Sequence, residues 1–193
     1  AQDAGISPNL EEVVVTGRAG VEEIRKVEVS YAVTTINAES LRMDAPLGVA
    51  DALGSVPGFW VESTGGEASA NIRARGIPEE GFSAVAMEED GLPVQHDPGL
   101  GWLNADQSFR LDDTIDRIEV VRGGPASMFS SNAPGGVVNF ITRKPGDVAG
   151  GTIKVESSDY GLRRVDGWYN LPVGDWRLGF GGFYREDDGV RDA

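Results

Sequence analysis

Residues 115–129 read IDRIEVVRGGPASMF, and residues 133–143 read APGGVVNFITR. The β-branched and apolar residues that begin the first stretch favour a strand. A glycine-proline corner follows, and it leads into a short helical turn. The second stretch opens with another glycine corner and ends in a second apolar run. The two stretches together therefore predict two strands joined by a tight, glycine-rich connection.

Composition limits what the chain can be. It has 193 residues, 40% of them hydrophobic and 25% charged, which is typical of a folded protein. Its net charge of -14 argues against non-specific nucleic-acid binding, which needs Lys and Arg to neutralise phosphates. The chain contains no cysteine, which excludes disulfides, zinc thiolates and cysteine nucleophiles.

Two membrane signals are missing from the sequence. Ala1–Asp3 is polar and lacks the basic and apolar regions of a signal peptide. No apolar run approaches the roughly 18 residues that a membrane helix needs. An integral contact with a bilayer would therefore require the strands of a β-barrel.

The region upstream of the decisive stretch mixes helix and strand signals. Val27–Ile36 is typical of a strand, whereas Ala38–Met43 and Pro46–Val56 have helical patterns. Proline suits the first position of a helix, which predicts a start at Pro46. Apolar residues recur on one face of this second helix: Val49, Leu53 and Val56. Asp90-Gly91 predicts a tight turn between two apolar segments.

The pattern changes after residue 150. Three successive runs alternate apolar and polar residues with a period of two, which predicts strands with one apolar and one polar face. The apolar members are Ile153, Val155, Val165, Tyr169, Leu171, Leu178, Phe180 and Tyr184. The polar members between them are Lys154, Glu156, Arg164, Asp166, Asn170, Arg177 and Arg185. Trp168, Tyr169 and Trp176 lie near strand ends, which predicts an aromatic girdle at a membrane interface.

Five segments occur in the order that they have in one known family. They are EEVVVTG at 11–17, ADALGSVPG at 50–58, IRARG at 72–76, EDGLPV at 89–94 and the stretch 115–143. Together they resemble the N-terminal part of a TonB-dependent outer-membrane receptor. The corner Arg122-Gly123-Gly124-Pro125 has one glycine more than the family pattern, which leaves its turn geometry open.

The resemblance implies an α/β (α+β) plug domain with a small mixed sheet and short helices. The antiparallel strands of an incomplete transmembrane β-barrel are expected to follow it. Residues 1–26 would be a flexible N-terminus, 27–147 the plug domain and 148–193 about three barrel strands. Barrels of this family have 22 strands, so we expect the chain to be part of a longer protein.

The implied function is TonB-dependent active transport of a scarce ligand across the outer membrane of a Gram-negative bacterium. The plug would gate the barrel, and the periplasmic N-terminus would couple it to the inner-membrane energy complex. The expected TonB-binding residues are Glu11, Glu12, Val13, Val14, Val15, Thr16 and Gly17. They would bind the C-terminal domain of TonB by adding a strand to its sheet. We expect no extra N-terminal signalling domain, because only about ten residues precede Glu11, the first of the expected TonB-binding residues.

The resemblance also implies two groups of site residues. Arg75 and Arg122 would form ion pairs with barrel glutamates beyond Ala193, the alternative being solvated strand arginines. Residues at the outer apex of the plug would help to hold a small-molecule ligand, the alternative being a polar surface loop. These are His96, Asp97, Trp102, Asn104 and Asp106. Iron chelates, cobalamin, oligosaccharides and plant-derived aromatics all remain open as substrates.

Other functions are disfavoured by the residues. We expect no enzyme, because no nucleophile, base and orienting group occur together, and the acidic triplet Glu88-Glu89-Asp90 belongs to a turn. We also expect no cofactor and no metal, since His96 has too few candidate ligands near it. The alternative function is a stand-alone periplasmic binding module. Alternating strands after residue 150 disfavour it, because an exposed apolar face would aggregate in water.

Overall fold

The computed structural model describes residues 13–14, 24–25, 31–63, 70–78, 85–94, 109–130, 133–159 and 161–189. The first strands in chain order are β1 (Val13–Val14), β2 (Ile24–Arg25), β3 (Val33–Ile36), β4 (Phe59–Ser63), β5 (Ala70–Ala74), β6 (Ile77–Pro78) and β7 (Val85–Glu89). They are followed by β8 (Leu92–Pro93), β9 (Ile115–Arg122), β10 (Gly136–Thr142), β11 (Gly150–Ser157), β12 (Arg163–Val173) and β13 (Trp176–Glu186). The helices are α1 (Ala38–Asp44), α2 (Val49–Leu53) and a 3-10 helix at Gly124–Met128. No helix in these ranges is long and apolar enough to cross a membrane.

The largest sheet has five strands in the order β3-β9-β10-β7-β8. Strand β10 lies in the middle, antiparallel to β9 and parallel to β7. The remaining pairs of this sheet, β3 with β9 and β7 with β8, are antiparallel. The sheet is therefore mixed, and with the short helices it confirms the predicted α/β fold class. A separate three-stranded sheet, β4-β5-β6, follows α2 in the chain.

The main apolar core lies between one face of the five-stranded sheet and the helices. Its largest buried side chains include Phe140, Leu53 and Ile118. The ring of Phe109 stacks on that of Phe140 with 4.0 Å between centroids. The predicted apolar face of the second helical segment is confirmed, because its three residues are all buried: Val49, Leu53 and Val56.

The predicted start of this second helix at Pro46 is wrong. The helix begins at Val49, and its N-cap residue Gly48 has an extended backbone with φ -166° and ψ -172°. Asp51 in the first turn reaches back, and its Oδ2 accepts a hydrogen bond from the Leu47 N–H at 3.1 Å. An extended Gly48 cannot continue a helix from Pro46, so the proline lies in the connection before it.

The predicted tight turn at Asp90-Gly91 is confirmed. Both residues have positive φ, 50° for Asp90 and 80° for Gly91, which matches the two-residue hairpin turn between β7 and β8. The Asp90 carboxylate also holds the end of β10. It accepts hydrogen bonds from the N–H of Thr142 at 2.9 Å and from the Thr142 hydroxyl at 2.5 Å.

The three-stranded sheet β11-β12-β13 is antiparallel throughout. One face is apolar and exposed, with Ile153 81% and Tyr184 64% accessible. The opposite face contacts the connections that precede α2 and β9, and it carries the buried Arg164 and Asp166. The predicted alternation of apolar and polar residues is therefore confirmed. We call this contact between the three-stranded sheet and these connections the seam.

The predicted girdle position of Trp168 is wrong. The residue lies on the seam face of β12, two positions after Asp166, and pairs in register with Gly181 of β13. A Cβ atom on Gly181 would lie 2.5 Å from Thr114 Cγ2, 2.9 Å from Trp168 Cε3 and 3.1 Å from the Gly167 oxygen. Gly181 therefore provides the space that the Thr114 methyl and the indole of Trp168 occupy.

We predict that Gly181→Ala destabilises the protein by about 1–3 kcal/mol, because the added methyl overpacks the seam against Trp168. Gly182→Ala is the matched control, since a Cβ at Gly182 would meet nothing within 4 Å. The control should change stability by less than about 0.5 kcal/mol. Urea unfolding of the full-length protein in detergent measures both, and equal stability of the two variants would contradict the packing described for Trp168.

Candidate functional site

The N-terminal segment contains a two-stranded pair. Strand β1 pairs antiparallel with β2, with Val13 opposite Arg25 and Val14 opposite Ile24. The extended conformation of β1 fits its β-branched residues. Strand β2 lies within residues 1–26, which were expected to form a flexible N-terminus. The other predicted TonB-binding residues lie outside the described residues: Glu11, Glu12, Val15, Thr16 and Gly17.

Two predicted arginines meet at one turn. The N–H of Arg75 donates to the Gly58 oxygen at 2.7 Å, and Arg122 Nη1 donates to the Pro57 oxygen at 2.9 Å. The guanidinium of Arg75 lies over Gly123, where a Cβ would be 3.2 Å from Nη1. We call these five residues the arginine corner.

The two arginines differ in exposure. Arg75 is exposed and lies in the turn after β5, with a left-handed backbone at φ 53°. Arg122 ends β9 and is partly buried, and its buried Nε has no hydrogen-bond partner among the described residues. A buried donor without a partner is costly, so Arg122 favours an acceptor at this position.

The two glycines of the corner motif differ in what the structure requires of them. Gly123 has φ 76°, a region that favours glycine, and it lies against Arg75. Gly124 begins the 3-10 helix, and a Cβ there would meet nothing within 4 Å. Only Gly123 is therefore required by the local geometry.

A row of polar residues crosses the five-stranded sheet. In register, Thr35 of β3 lies beside Glu119 of β9, which lies beside Asn139 of β10, which lies beside Glu88 of β7. Glu119, Asn139 and Glu88 are all buried. Glu88 was expected in a turn with Glu89 and Asp90, but it lies within β7. We call these four residues the polar row.

The members of the polar row are unequally satisfied. Glu119 Oε1 accepts from Arg117 Nε at 2.9 Å, and Asn139 Oδ1 accepts from the Gly91 N–H at 3.0 Å. Glu88 Oε2 is buried without a hydrogen-bond partner among the described residues. Burial raises the pKa of Glu88 to about 7, because the charged carboxylate is poorly solvated there.

The seam contains polar contacts that the sequence analysis did not assign. Asp113 accepts from Arg143 Nη2 at 3.0 Å and from the Thr152 hydroxyl of β11. Arg164 and Asp166 form a buried ion pair on β12. The sequence does contain a signal for this ion pair. The two residues have opposite charges and lie two positions apart in a strand, so their side chains share a face.

The predicted apex residues are not part of the described site. His96, Asp97, Trp102, Asn104 and Asp106 all lie outside the described residues. Within the ranges that the structure covers, no group of three His, Cys, Asp or Glu side chains is placed to hold a metal ion.

Comparison with known proteins decides the family. Residues 25–137 match the family described as TonB-dependent Receptor Plug Domain. The chain belongs to this family. The residues of the plug match include the arginine corner, three of the four residues of the polar row and the five-stranded sheet up to Val137 of β10.

The chain is similar to two proteins whose names refer to iron. It is 34% identical over 167 residues to the iron-regulated outer membrane virulence protein of Vibrio cholerae, covering 81% of this chain and 23% of that protein. It is 32% identical over 177 residues to the ferric enterobactin receptor PirA of Pseudomonas aeruginosa, covering 82% of this chain and 24% of that protein. The chain therefore spans about a quarter of the length of the curated relatives it matches.

A solved structure shares the fold. The ferripyoverdine receptor of the Pseudomonas aeruginosa outer membrane superposes with a TM-score of 0.74 at 18% identity, over 91% of this chain and 22% of that one. The likeness covers both the five-stranded sheet and antiparallel strands after it. The fold class is therefore a plug domain followed by antiparallel strands of a receptor barrel.

We predict that the buried Glu88 makes the plug less stable as pH rises. Its folded pKa of about 7 exceeds the ordinary value of 4.5 for a glutamate, so the folded state binds the proton more tightly. The resulting stability is fully present below about pH 4.5 and is lost as pH rises through about 7, by on the order of 3 kcal/mol. Glu88→Gln should remove this loss.

Hydrogen exchange of the β7 segment between pH 5 and 8 tests this in the full-length protein, after correction for intrinsic exchange rates. Exposed Glu39→Gln is the matched control and should leave the pH dependence unchanged. A Glu88→Gln variant with the same pH dependence as the wild type would show that Glu88 is not the cause of the pH-dependent loss of stability.

Proposed function

We propose that this chain is the N-terminal part of a TonB-dependent transporter in the outer membrane of a Gram-negative bacterium. The observation that carries the proposal is the two-faced sheet β11–β13. Its outer face is apolar and exposed, whereas its inner face is polar and packs on the plug. Lipid on one side and a plug on the other would satisfy both faces.

The domain boundaries follow from this proposal. Residues 1–26 are the coupling segment, 27–147 the plug and 148–193 the first barrel strands. The plug closes the barrel at rest, and traction on the coupling segment opens a path. No nucleotide is needed on this chain, because the partner complex supplies mechanical energy.

TonB is the proposed partner of the segment 11–17. Strand β1 is extended and, within the part of the chain that the structure describes, pairs with β2 along one edge, so a partner strand could add along the other. An added strand from the C-terminal domain of TonB would form main-chain hydrogen bonds there. The coupling segment would then lie in the periplasm.

The arginine corner is proposed to hold the plug inside the barrel. Arg75 and Arg122 place two positive charges at one turn, and the buried Nε of Arg122 favours an additional acceptor. Glutamates of the remaining barrel are the proposed acceptors, since charge-assisted hydrogen bonds to carboxylates are strong.

An iron chelate is the proposed substrate. The relatives include proteins named as receptors for ferric enterobactin, ferrioxamine B and hemin. We propose that this chain serves the same class of ligand, with the apex residues His96, Asp97, Trp102, Asn104 and Asp106 contributing to its binding. A stand-alone periplasmic module is disfavoured, because it would expose the apolar face of β11–β13 to water.

We predict that Val14→Pro lowers iron-chelate uptake at least about tenfold, because proline removes an N–H and disrupts ladder pairing. The measurement is uptake of radio-iron enterobactin and radio-iron ferrioxamine B by cells that carry the full-length receptor. Binding of the same chelates at the cell surface should be unchanged. Val14→Ile is the control, since it keeps both the N–H and the β-branched side chain.

Unchanged uptake by Val14→Pro, together with unchanged binding to the TonB C-terminal domain, would reject the coupling role of β1. A receptor that resides in the soluble periplasm would instead support the stand-alone module.

We predict that Arg122→Met loosens the plug in the full-length receptor by about 3 kcal/mol, because it leaves the proposed acceptors without their cation. Urea-dependent hydrogen exchange of β9 and β10 measures this. Arg73→Met is the matched control, because Arg73 is exposed and stacks on Trp60 at 5.2 Å. Equal exchange in the two variants would contradict the proposed role of Arg122.

A further inference from the structure

Arg164 is the most completely engaged cation of the seam. Its Nε and Nη2 donate to the two carboxylate oxygens of Asp166, each at 2.8 Å, in a fork that only a planar guanidinium can form. The two side chains are each 3% exposed. The ring of Phe183 on β13 lies 5.1 Å from the guanidinium carbon. Asp166 and Phe183 therefore fix the orientation of Arg164.

The remaining donors of Arg164 reach across the seam. Nη1 donates to the Leu47 oxygen at 3.3 Å, and Nη2 also donates to the Leu111 oxygen. Both acceptors are backbone carbonyls of the plug, so they do not depend on the leucine side chains. Arg185 of β13 also donates to the Leu47 oxygen, at 3.5 Å. Two strands of the sheet thus converge on one carbonyl.

Leu47 divides the plug into weakly and strongly held parts. Before it, β3 is an edge strand of the described sheet, which pairs with β9 over four residue pairs and buries two side chains, Val33 and Ile36. Helix α1, which follows β3, has no buried residue. After Leu47, helix α2 buries Val49, Ala52 and Leu53 in the main core. Leu47 itself is held by Asp51 through its N–H and by Arg164 through its oxygen.

We propose that Arg164, oriented by Asp166, is a positioning residue that confines movement of the plug under traction to the chain before Leu47. Force applied at the N-terminus reaches β3 first, then α1, and then the anchored carbonyl. Strand β3 and helix α1 move, while α2 and the strands after Leu111 stay packed. The proposal rests on the proposed function, which supplies the traction.

Force spectroscopy on the full-length receptor in liposomes tests this anchor without relying on TonB. The receptor is pulled through a DNA handle coupled at Gly5→Cys, in a background with any other cysteines replaced. The chain from Val33 to Leu47 spans roughly 50 Å when fully extended. In the wild type we expect a first force peak that releases at most this length of chain. A second force peak should follow.

The main variant is Arg164→Met/Asp166→Leu, which removes both charges and so leaves no buried charge unpaired. We expect its second peak to fall at least about twofold in force, or to move to a longer extension, because both carbonyl contacts of Arg164 are lost and only that of Arg185 remains. Arg164→Lys keeps one charge without the fork and should lie between the two. Arg163→Met is the matched control, on the same strand but on the exposed face, and should behave as wild type.

Unfolding of the barrel by heat, followed by gel mobility, separates positioning from general stability. A second peak that shifts while the barrel transition stays the same supports the anchor. A second peak unchanged in the double variant, or lost equally in Arg163→Met, would overturn it. The proposed transport function is judged separately by chelate uptake and TonB binding, so either idea can fail without the other.

Discussion

Strand β10 is the element on which the plug depends. It is buried at every residue except the last, between an antiparallel neighbour, β9, and a parallel one, β7. A strand with both faces and both edges covered needs an almost continuous apolar sequence, which GVVNFIT provides. Its ends are fixed as well. At the start, a Cβ on Gly136 would lie 2.8 Å from the Val121 oxygen. At the end, Asp90 binds both the N–H and the hydroxyl of Thr142.

Asn139, the buried polar residue within the apolar sequence of β10, belongs to the polar row. Because side chains alternate along a strand, the row lies on the face opposite to the one that packs on α1 and α2. The helix-side core is therefore apolar, with Ile118, Val138 and Phe140 fully or almost fully buried. The other face combines a small apolar cluster around Val121 and Val137 with buried carboxylates. The charge state of Glu88 consequently depends on what covers that second face.

Local chemistry made much of the fold predictable. The Asp90-Gly91 turn, the strands on either side of the glycine-proline corner and the alternation after residue 150 each have a signal within a few residues. The start of α2 was missed because proline is permitted at a first helical position without being confined to it. The inward position of Trp168 depends on strand register, which the nearness of a strand end does not specify.

The site was less predictable than the fold, because it is assembled from distant segments. The polar row needs the pairing of β7 with β10. The arginine corner needs Arg75 to contact both Gly58 and Gly123. Neither pairing is present in a local pattern. Leu47 and Leu111 accept hydrogen bonds from Arg164 through their backbone carbonyls. Every residue has a carbonyl, so the sequence could not identify these two as partners of Arg164. All of the TonB-binding residues, the ion pairs of Arg75 and Arg122 with the barrel, and the apex residues stay predictions.

The five-stranded sheet and the three-stranded sheet β11–β13 differ in whether further strands can pair with their edges. The five-stranded sheet ends on one side at β3, with four residues, and on the other at β8, where Pro93 has no N–H to offer. Such blunt margins resist pairing with a neighbouring copy. Strands β11 and β13 have 8 and 11 residues, and each has one side without a ladder among the described residues. One sheet of this chain is thus self-limiting, whereas the other is a template for continued strand addition.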